Sequence, residues 1–246
     1  MAVNQANCVT IAWDRYQPTD GNCKNERSCY SGCVSKGRQT REAVLDAAVA
    51  AASTSGLSAV SIGDLARSVG MSKSGVFAHF ESKENLQLEV LRSAVAHFIA
   101  EVVGPALRKP RGEARVRALF ENWFDWSSKA SLPGGCIFIA AASEFDDQPG
   151  PVRDYLVETQ KDWLATLSQA VRIAVDEGQF RSDVDAQQLA HDFYSILLAY
   201  HHFSRLLRMP AARVRAFRSF EQLIESARVR NAVPRDSHAR KTGARK

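Results

Sequence analysis

The sequence predicts an all-α chain of about nine helices, and three observations carry that prediction. Apolar residues recur at three- and four-residue spacing through the segments after residue 40, and no alternating stretch marks a strand. Polar residues able to cap a helix stand where those segments begin, as at Ser61, Ser82 and Asp185. Glycine and proline stand where they end, at Gly56, Gly70, Gly104-Pro105, Pro133-Gly134-Gly135, Pro149-Gly150-Pro151, Gly178 and Met209-Pro210. There is no internal repeat.

Taken in order, the first periodic segment starts at Thr40, which can cap it. Val44, Ala47, Ala48 and Ala51 form an apolar stripe that Gly56 closes. Two short helices follow. Ile62, Leu65, Ala66 and Val69 line the first, and Ser61-x-x-Asp64 has capping-box spacing at its start. Val76, Phe77 and Phe80 line the second and read as its core face. Gly70-Met71-Ser72 lies between: a glycine that can turn left-handed, then a serine that can accept the next free N–H groups. Two small helices joined at a steep angle by a glycine turn describe a helix-turn-helix. Ser82 caps a long helix from Lys83 that carries Leu86, Val90, Leu91, Ala94, Phe98 and Val102, and Gly104-Pro105 should end or kink it.

The remaining helices are expected at 112–130, 136–145, 151–177, 186–208 and 211–228. Val116, Leu119, Phe120, Trp123, Phe124 and Trp126 mark the first of these. Leu156, Trp163, Leu167, Ala170, Val171 and Ala174 mark the third, and Asp185 with Gln188 caps the fourth.

Composition narrows the function. A chain of 246 residues that is 45% hydrophobic can bury a core for one or two domains. Its net charge of +5 is concentrated at the end, where residues 228–246 carry seven Lys/Arg against Asp236 alone, so residues 1–227 sum to −1. Residues 34–92 hold seven basic and six acidic side chains. Affinity for nucleic acid in that stretch must come from where the charges sit, not from their sum. No apolar run approaches the roughly 18 residues of a membrane span, and no signal peptide opens the chain. A cytoplasmic protein with reduced thiols is expected.

Residues 1–35 stand apart, with Cys8, Cys23, Cys29 and Cys33 among Asn, Gly, Ser and Thr. Their spacing is not the paired C-x2-C of zinc sites and no histidine is near, so no metal site is expected. The segment reads as a disordered or spurious extension, with Val34-Ser35-Lys36-Gly37-Arg38 a sensible start. Cys136, after Pro-Gly-Gly and before an apolar run, reads as a buried thiol. His191, His201 and His202 are far along the sequence as partners for a nucleophile, and adjacent histidines on a helix diverge. No G-x-S-x-G, H-E-x-x-H or phosphate loop is present, so neither an enzyme nor a cofactor is expected.

The run SIGDLARSVGMSKSGVFAHFESKENL, within residues 38–90, resembles the DNA-binding domain of the TetR family of transcriptional regulators. The shared pattern is LA-x-x-x-G, a second helix ending aromatic-x-H-F, then S-K-E-x-L. Phe77 departs from it, since many members have a tyrosine there whose hydroxyl meets a phosphate. The resemblance implies the full fold class: all-α, an N-terminal three-helix helix-turn-helix domain followed by a helical ligand-binding and dimerisation domain. The domains would then be an extension (1–35), a DNA-binding domain (36–82), an effector-binding and dimerisation domain (83–228) and a basic tail (229–246).

A recognition helix presents short polar side chains and its own N-terminus to the groove. Ser72, Lys73, Ser74 and Gly75 supply that first turn here. By the family pattern His79 and Lys83 would touch phosphates, as would Thr40 and Ser61 near helix starts, with Phe77 beside them. The resemblance further implies a homodimer on a double-stranded DNA operator with half-sites about 34 Å apart or a multiple of it. The last two helices would pair across the two-fold axis. Leu189, Phe193, Ile196, Leu197, Tyr200, Leu206, Leu207, Phe217, Phe220 and Leu223 are more apolar residues than one solvent-facing pair needs, so part of them is monomer core and part the interface. The resemblance also implies a small-molecule effector that shifts the population away from the DNA-fitting conformation. Candidate lining residues are Trp123, Phe124, Trp126, Phe138, Trp163, Phe193, Tyr194 and His201. The expected function is a ligand-responsive repressor. The alternatives are a redox- or metal-responsive regulator sensing through cysteines, and a helical carrier or enzyme.

Overall fold

The computed structural model describes residues 36–229. The cysteine-containing extension 1–35 and the basic tail beyond Val229 lie outside that range. Among the described residues there are nine helices: α1 (Lys36–Ser55), α2 (Ile62–Ser68), α3 (Lys73–Phe80), α4, α5 (Glu113–Ser127), α6 (Ile137–Phe145), α7 (Pro151–Asp176), α8 (Ala186–Arg205) and α9 (Ala212–Ala227). Helix α4 runs Lys83–Phe98, passes through a π-helical turn, Ile99–Val103, and finishes with an α turn, Gly104–Leu107. Among these residues there is no strand, only an isolated antiparallel bridge between Phe180 and Arg228.

Helices α1 to α3 close around the first half of α4. Val44, Ala48 and Ala52 of α1, Leu65 of α2 and Val76 and Phe80 of α3 are buried with Leu86 and Val90 of α4. The second half of α4 enters the larger bundle, where Phe98 and Val102 join Trp123 and Phe124 of α5 and Trp163 of α7. By length and apolarity α4 is long enough to cross a membrane, with a mean hydropathy of 1.4 over its apolar window. Here it is a core helix instead, apolar because it serves two packed regions.

Two local features differ from the sequence reading, and a third decides between the alternatives left open at Gly104-Pro105. Helix α1 is already running at Lys36, so Thr40 lies a turn inside it and is not its cap. The buried stripe of α1 is Val44, Leu45, Ala48, Val49 and Ala52, and Ala51 faces solvent. Helix α4 does not end at Gly104-Pro105. A proline nitrogen cannot donate, and its ring crowds the preceding turn. The chain widens there, with the Gly104 N–H reaching back five residues to the Ile99 carbonyl. A Cβ on Gly104 would lie 3.1 Å from that same oxygen, so glycine suits the widened turn. Asn122 of α5 donates to the Val102 carbonyl in the same turn, at 3.0 Å.

Two ion clusters tie distant segments together. Glu89 on α4 accepts from Arg41 of α1 and, at 2.6 Å, from Arg92. Burial raises the Glu89 pKa, but the hydrogen bonds from the two arginines outweigh it and hold the group below its usual value. Glu113 at the head of α5 accepts from Arg228 and Arg117, and Arg117 also grips Glu221 of α9. The Arg228 hydrogen bond is the main reason Glu113 too titrates below its usual value. Arg228 therefore belongs to the folded body, with the Arg181 N–H bonded beside it to the Ala227 carbonyl at 2.8 Å.

The end of α1 is locked to the larger bundle. The Gly134 N–H donates to Ser53 Oγ at 3.1 Å, and a Cβ on Gly134 would lie 1.5 Å from the Ser53 carbonyl oxygen. Glu144 of α6 takes the Leu57 N–H at 2.9 Å and the Ser58 N–H at 2.7 Å. Gln87 of α4 donates to the Leu57 carbonyl at 3.3 Å. The left-handed Gly56, with φ of 91°, leaves room for the carboxylate, since a Cβ there would lie 2.5 Å from it.

Gly134→Ala should cost about 3 kcal/mol of unfolding free energy in urea, because backbone cannot yield to the added methyl. Gly63→Ala, whose Cβ meets nothing nearer than 3.9 Å, should instead gain about 0.5 to 1 kcal/mol. The carboxylates Glu89 and Glu113 have folded pKa values below the usual 4.5. Their stabilisation is present above that pH and lost as pH falls through the folded values. Urea midpoints between pH 3 and 7 should show this acid loss, and it should be reduced in Glu89→Gln and Glu113→Gln.

Candidate functional site

Helices α2 and α3 are set by local chemistry. Ser61 caps α2, accepting from the Asp64 N–H at 3.1 Å and donating to the Asp64 carboxylate at 2.6 Å. The helix ends in a Schellman turn. Gly70 is left-handed (φ 68°), with the Met71 N–H on the Ala66 carbonyl at 2.9 Å and the Gly70 N–H on that of Arg67 at 3.4 Å. Ser72 then caps α3 by accepting from the Gly75 N–H at 3.0 Å, while its hydroxyl shares a hydrogen with Ser74 at 3.2 Å. Gly75 lets the cap close tightly, since a Cβ there would lie 3.1 Å from Ser72 Oγ. Ser82 caps α4 in the same way, and the Asn85 amide donates to the Phe80 carbonyl at 3.0 Å.

Helix α3 buries Val76 and Phe80, one turn apart, and half-buries His79, whose ring packs against Phe80. Lys73, Ser74, Phe77 and Ala78 form its exposed face. Phe77 is 51% exposed, which corrects its assignment to the core. With Val76 and Phe80 filling the inner face, the neighbouring position is turned about 100° away. Ser72 and Lys83 are also exposed and Ser61 and Gly75 half-buried; Ser72 to Gly75 form the α3 N-terminus, Lys83 follows the α3–α4 turn, and Ser61 stands at the start of α2. Thr40 is half-buried inside α1, away from any helix start.

Charge is placed selectively. Arg41 is paired with Glu89, Arg67 with Asp64, and Arg92 with Glu89. Lys73 and Lys83 form no ion pair among the described residues. The cations nearest the exposed α3 face are thus the ones left open to a polyanion.

The larger bundle contains an aromatic slot. It is lined by Phe98 of α4, Trp123 of α5, Cys136 and Phe138 at the start of α6, Thr159, Gln160 and Trp163 of α7, and Tyr194 of α8. Its free volume is about 20 Å³. The Phe98 ring is its hub, edge-on to Trp163 and Trp126 at 5.0 Å each and to Phe138 at 5.8 Å. Tyr194 donates to Gln160, whose amide reaches the Phe138 carbonyl at 3.4 Å. Burial pushes the Cys136 thiol up to about 12, leaving it protonated and a poor nucleophile.

Four of the expected lining residues, Trp123, Phe138, Trp163 and Tyr194, meet in this slot. His201 does not; it lines an adjoining, more open recess with Gly135 and Arg205. Its ring comes close to Gly135, one residue from Cys136, although the two are far apart in sequence. Trp126 stands behind the slot, stacked on Phe138 and facing a cleft toward α1. Phe124 and Phe193 belong to a packed cluster with Phe120, and contribute no slot wall. Phe98, Thr159 and Gln160 were not expected there. Phe98 had a signal, as the last aromatic of the α4 stripe. The two polar residues on α7 had none. Among the described residues no three His, Cys, Asp or Glu side chains converge as metal ligands.

Comparison with known proteins agrees with this architecture. Residues 44–90 match the family described as bacterial regulatory proteins, tetR family, and residues 112–220 match the tetracyclin repressor-like C-terminal domain. No curated protein sequence matches the chain. Among solved structures, a TetR-family regulator from Cytophaga hutchinsonii superposes with a TM-score of 0.70 at 19% identity, covering 80% of this chain and 99% of its own. A TetR regulator from Chloroflexus aurantiacus gives 0.62 at 26% identity, covering 77% and 94%. A regulator from Saccharomonospora viridis, in complex with choline, gives 0.68 at 20% identity, covering 78% and 99%. The helix-turn-helix of α2 and α3, the helical bundle behind it and both family matches place this chain in the TetR family of transcriptional regulators.

Proposed function

We propose that this regulator is a cytoplasmic, non-enzymatic repressor that binds a palindromic operator as a homodimer and is released by a small molecule. The observation that carries the DNA reading is the exposed face of α3, with its capped N-terminus and with Lys73 and Lys83 free of ion pairs among the described residues. Phosphates favour a helix N-terminus, and serine and lysine side chains can reach base edges or the backbone. We assign the operator contact to Ser72, Lys73, Ser74 and Gly75, with Lys83, His79 and Ser61 toward the phosphates. Phe77 offers an apolar surface to the groove where a tyrosine hydroxyl would have donated.

The dimer reading rests on α8 and α9. Leu198, Phe203, Leu206, Leu207 and Val214 are exposed, and an apolar groove of about 300 Å³ runs between the helices past Ile196, Tyr200 and Phe203. Leu189, Phe193, Leu197 and Phe220 are core instead. A cluster of large exposed apolar side chains on one helix pair suits a self-complementary interface.

The effector reading rests on the slot and on its connections. Cys136 in its wall lies two residues from Gly134, which grips Ser53 at the end of α1. Phe98 in the same wall is part of α4, which also carries the reading head. That a regulator of this fold holds choline supports a small organic effector. Sensing by oxidation of Cys136 is disfavoured by the raised thiol pKa.

A genome-wide binding footprint should return a palindromic site, and gel-shift titration on it should give Lys73→Ala an affinity about ten-fold weaker than the parent. Normal binding by that variant would remove Lys73 from the interface. Leu206→Glu should shift the dimer toward monomer in sedimentation. Alkylation followed residue by residue at pH 8 should leave Cys136 unmodified until urea unfolds the chain; rapid native labelling would restore the redox reading.

A further inference from the structure

The slot and the recess beside it have opposite chemistry. The slot is neutral and mostly aromatic, and no charged side chain lines it. Trp163, 4% exposed, keeps a buried indole N–H with no hydrogen-bond partner. Leaving such a group unpaired is unfavourable, and an acceptor on a molecule entering the slot would satisfy it. The recess holds about 170 Å³ and is lined by Ser127, Ser128, Tyr200, His201, Ser204 and Arg205, together with Trp123 and Gly135. No carboxylate lines it. Ser127 and Ser204 donate to the carbonyls of Phe124 and His201, at 3.1 and 3.3 Å. The donors left over are the Arg205 guanidinium, which has no ion pair among the described residues, the Ser128 and Tyr200 hydroxyls and the His201 ring.

The two spaces lie back to back. The Trp123 indole is a wall of both, and Gly135 of the recess is followed in sequence by Cys136 of the slot. We infer that they form one site for an aromatic carboxylate, its ring in the slot past Trp123 and its carboxylate on Arg205, with an acceptor at the far end of the ring facing Trp163. This rests on the effector reading above and names the chemical class of that effector. An aromatic cage by itself would suit a quaternary ammonium. Here, however, the groups without partners are donors and a cation, which attract an anion and repel choline.

The slot now has room for about one water, so a ring can enter only by parting Phe98, Phe138, Trp123 and Trp163. That opening displaces Phe98, the last residue before the π turn of α4. Seating the ligand is thereby tied to the helix that bears the reading head.

The test uses the full chain and four probes: 3-(4-methoxyphenyl)propionate, its methyl ester, 3-phenylpropionate and choline. Binding is followed by calorimetry and tryptophan fluorescence, and operator release by gel shift. The methoxy acid should bind about ten-fold or more tightly than its ester, and release the operator. Arg205→Gln, at an exposed position, should bring the acid down to the affinity of its ester. Trp163→Phe should remove the advantage of the methoxy acid over 3-phenylpropionate. Equal binding of acid and ester, an unchanged Arg205→Gln, or tighter binding of choline would overturn the assignment. If the ligand-free chain holds its operator while the probes fail these contrasts, only the ligand class is wrong. If the ligand-free chain holds no operator, the reading as a ligand-released repressor itself fails.

Discussion

One carboxylate holds the end of α1 against the larger bundle. Glu144 of α6 accepts both the Leu57 and the Ser58 N–H just after α1 ends. Those groups would otherwise be unpaired donors at a half-buried turn. Around that contact lie Gly56, left-handed to admit the carboxylate, Gly134 against Ser53, and Gln87 on the Leu57 carbonyl. The helix-turn-helix region is therefore joined to the larger bundle through this backbone clamp and through α4. A displacement of the Pro133–Cys136 loop or of α6 has somewhere to go, because the clamp is made of directional bonds with little slack.

Where structure is decided within a few residues, the sequence is a good guide. Ser61, Ser72, Ser82 and Asp185 cap the helices they were expected to cap, and Gly70 makes the turn between α2 and α3. Side-chain orientation in a short helix is less legible. Phe77 and Val76 are adjacent apolar residues in an eight-residue helix, and the positions of the neighbouring helices decide which one is covered. The aromatic residues of the bundle show the same limit. Trp123 and Phe124 are neighbours of similar character, yet one walls the slot and the other fills the Phe120 cluster. That division depends on where α7, α8 and α9 pass, which no local pattern encodes. Gln160 and Thr159, polar residues on a long amphipathic helix, read as surface until Tyr194 is brought alongside.

The placement of charge repeats this lesson. In sequence, the reading domain is nearly neutral and its arginines look equivalent to its lysines. In the fold, Arg41 and Arg92 converge on Glu89, and Arg41 also lies over the Phe80 ring at 5.5 Å. These arginines hold α1 and α4 around the recognition helix. The planar guanidinium suits that fixed role, whereas the lysines keep flexible, hydrated ammonium groups at the surface. Paired and unpaired cations of α1 to α4 thus differ in residue type as well as in position.

The widened turn at Ile99–Val103 gives α4 one residue more than a regular helix of the same rise requires. The surplus lies between the half of α4 that packs under the recognition helix and the half that meets α5. It sets the rotational phase between two apolar stripes that would otherwise run out of register. Loss of a single residue there would straighten the rod and swing one stripe by about 100° relative to the other. Pro105 holds that offset in place, so the angular relation between the two halves of the molecule is written into a helix that looks uninterrupted.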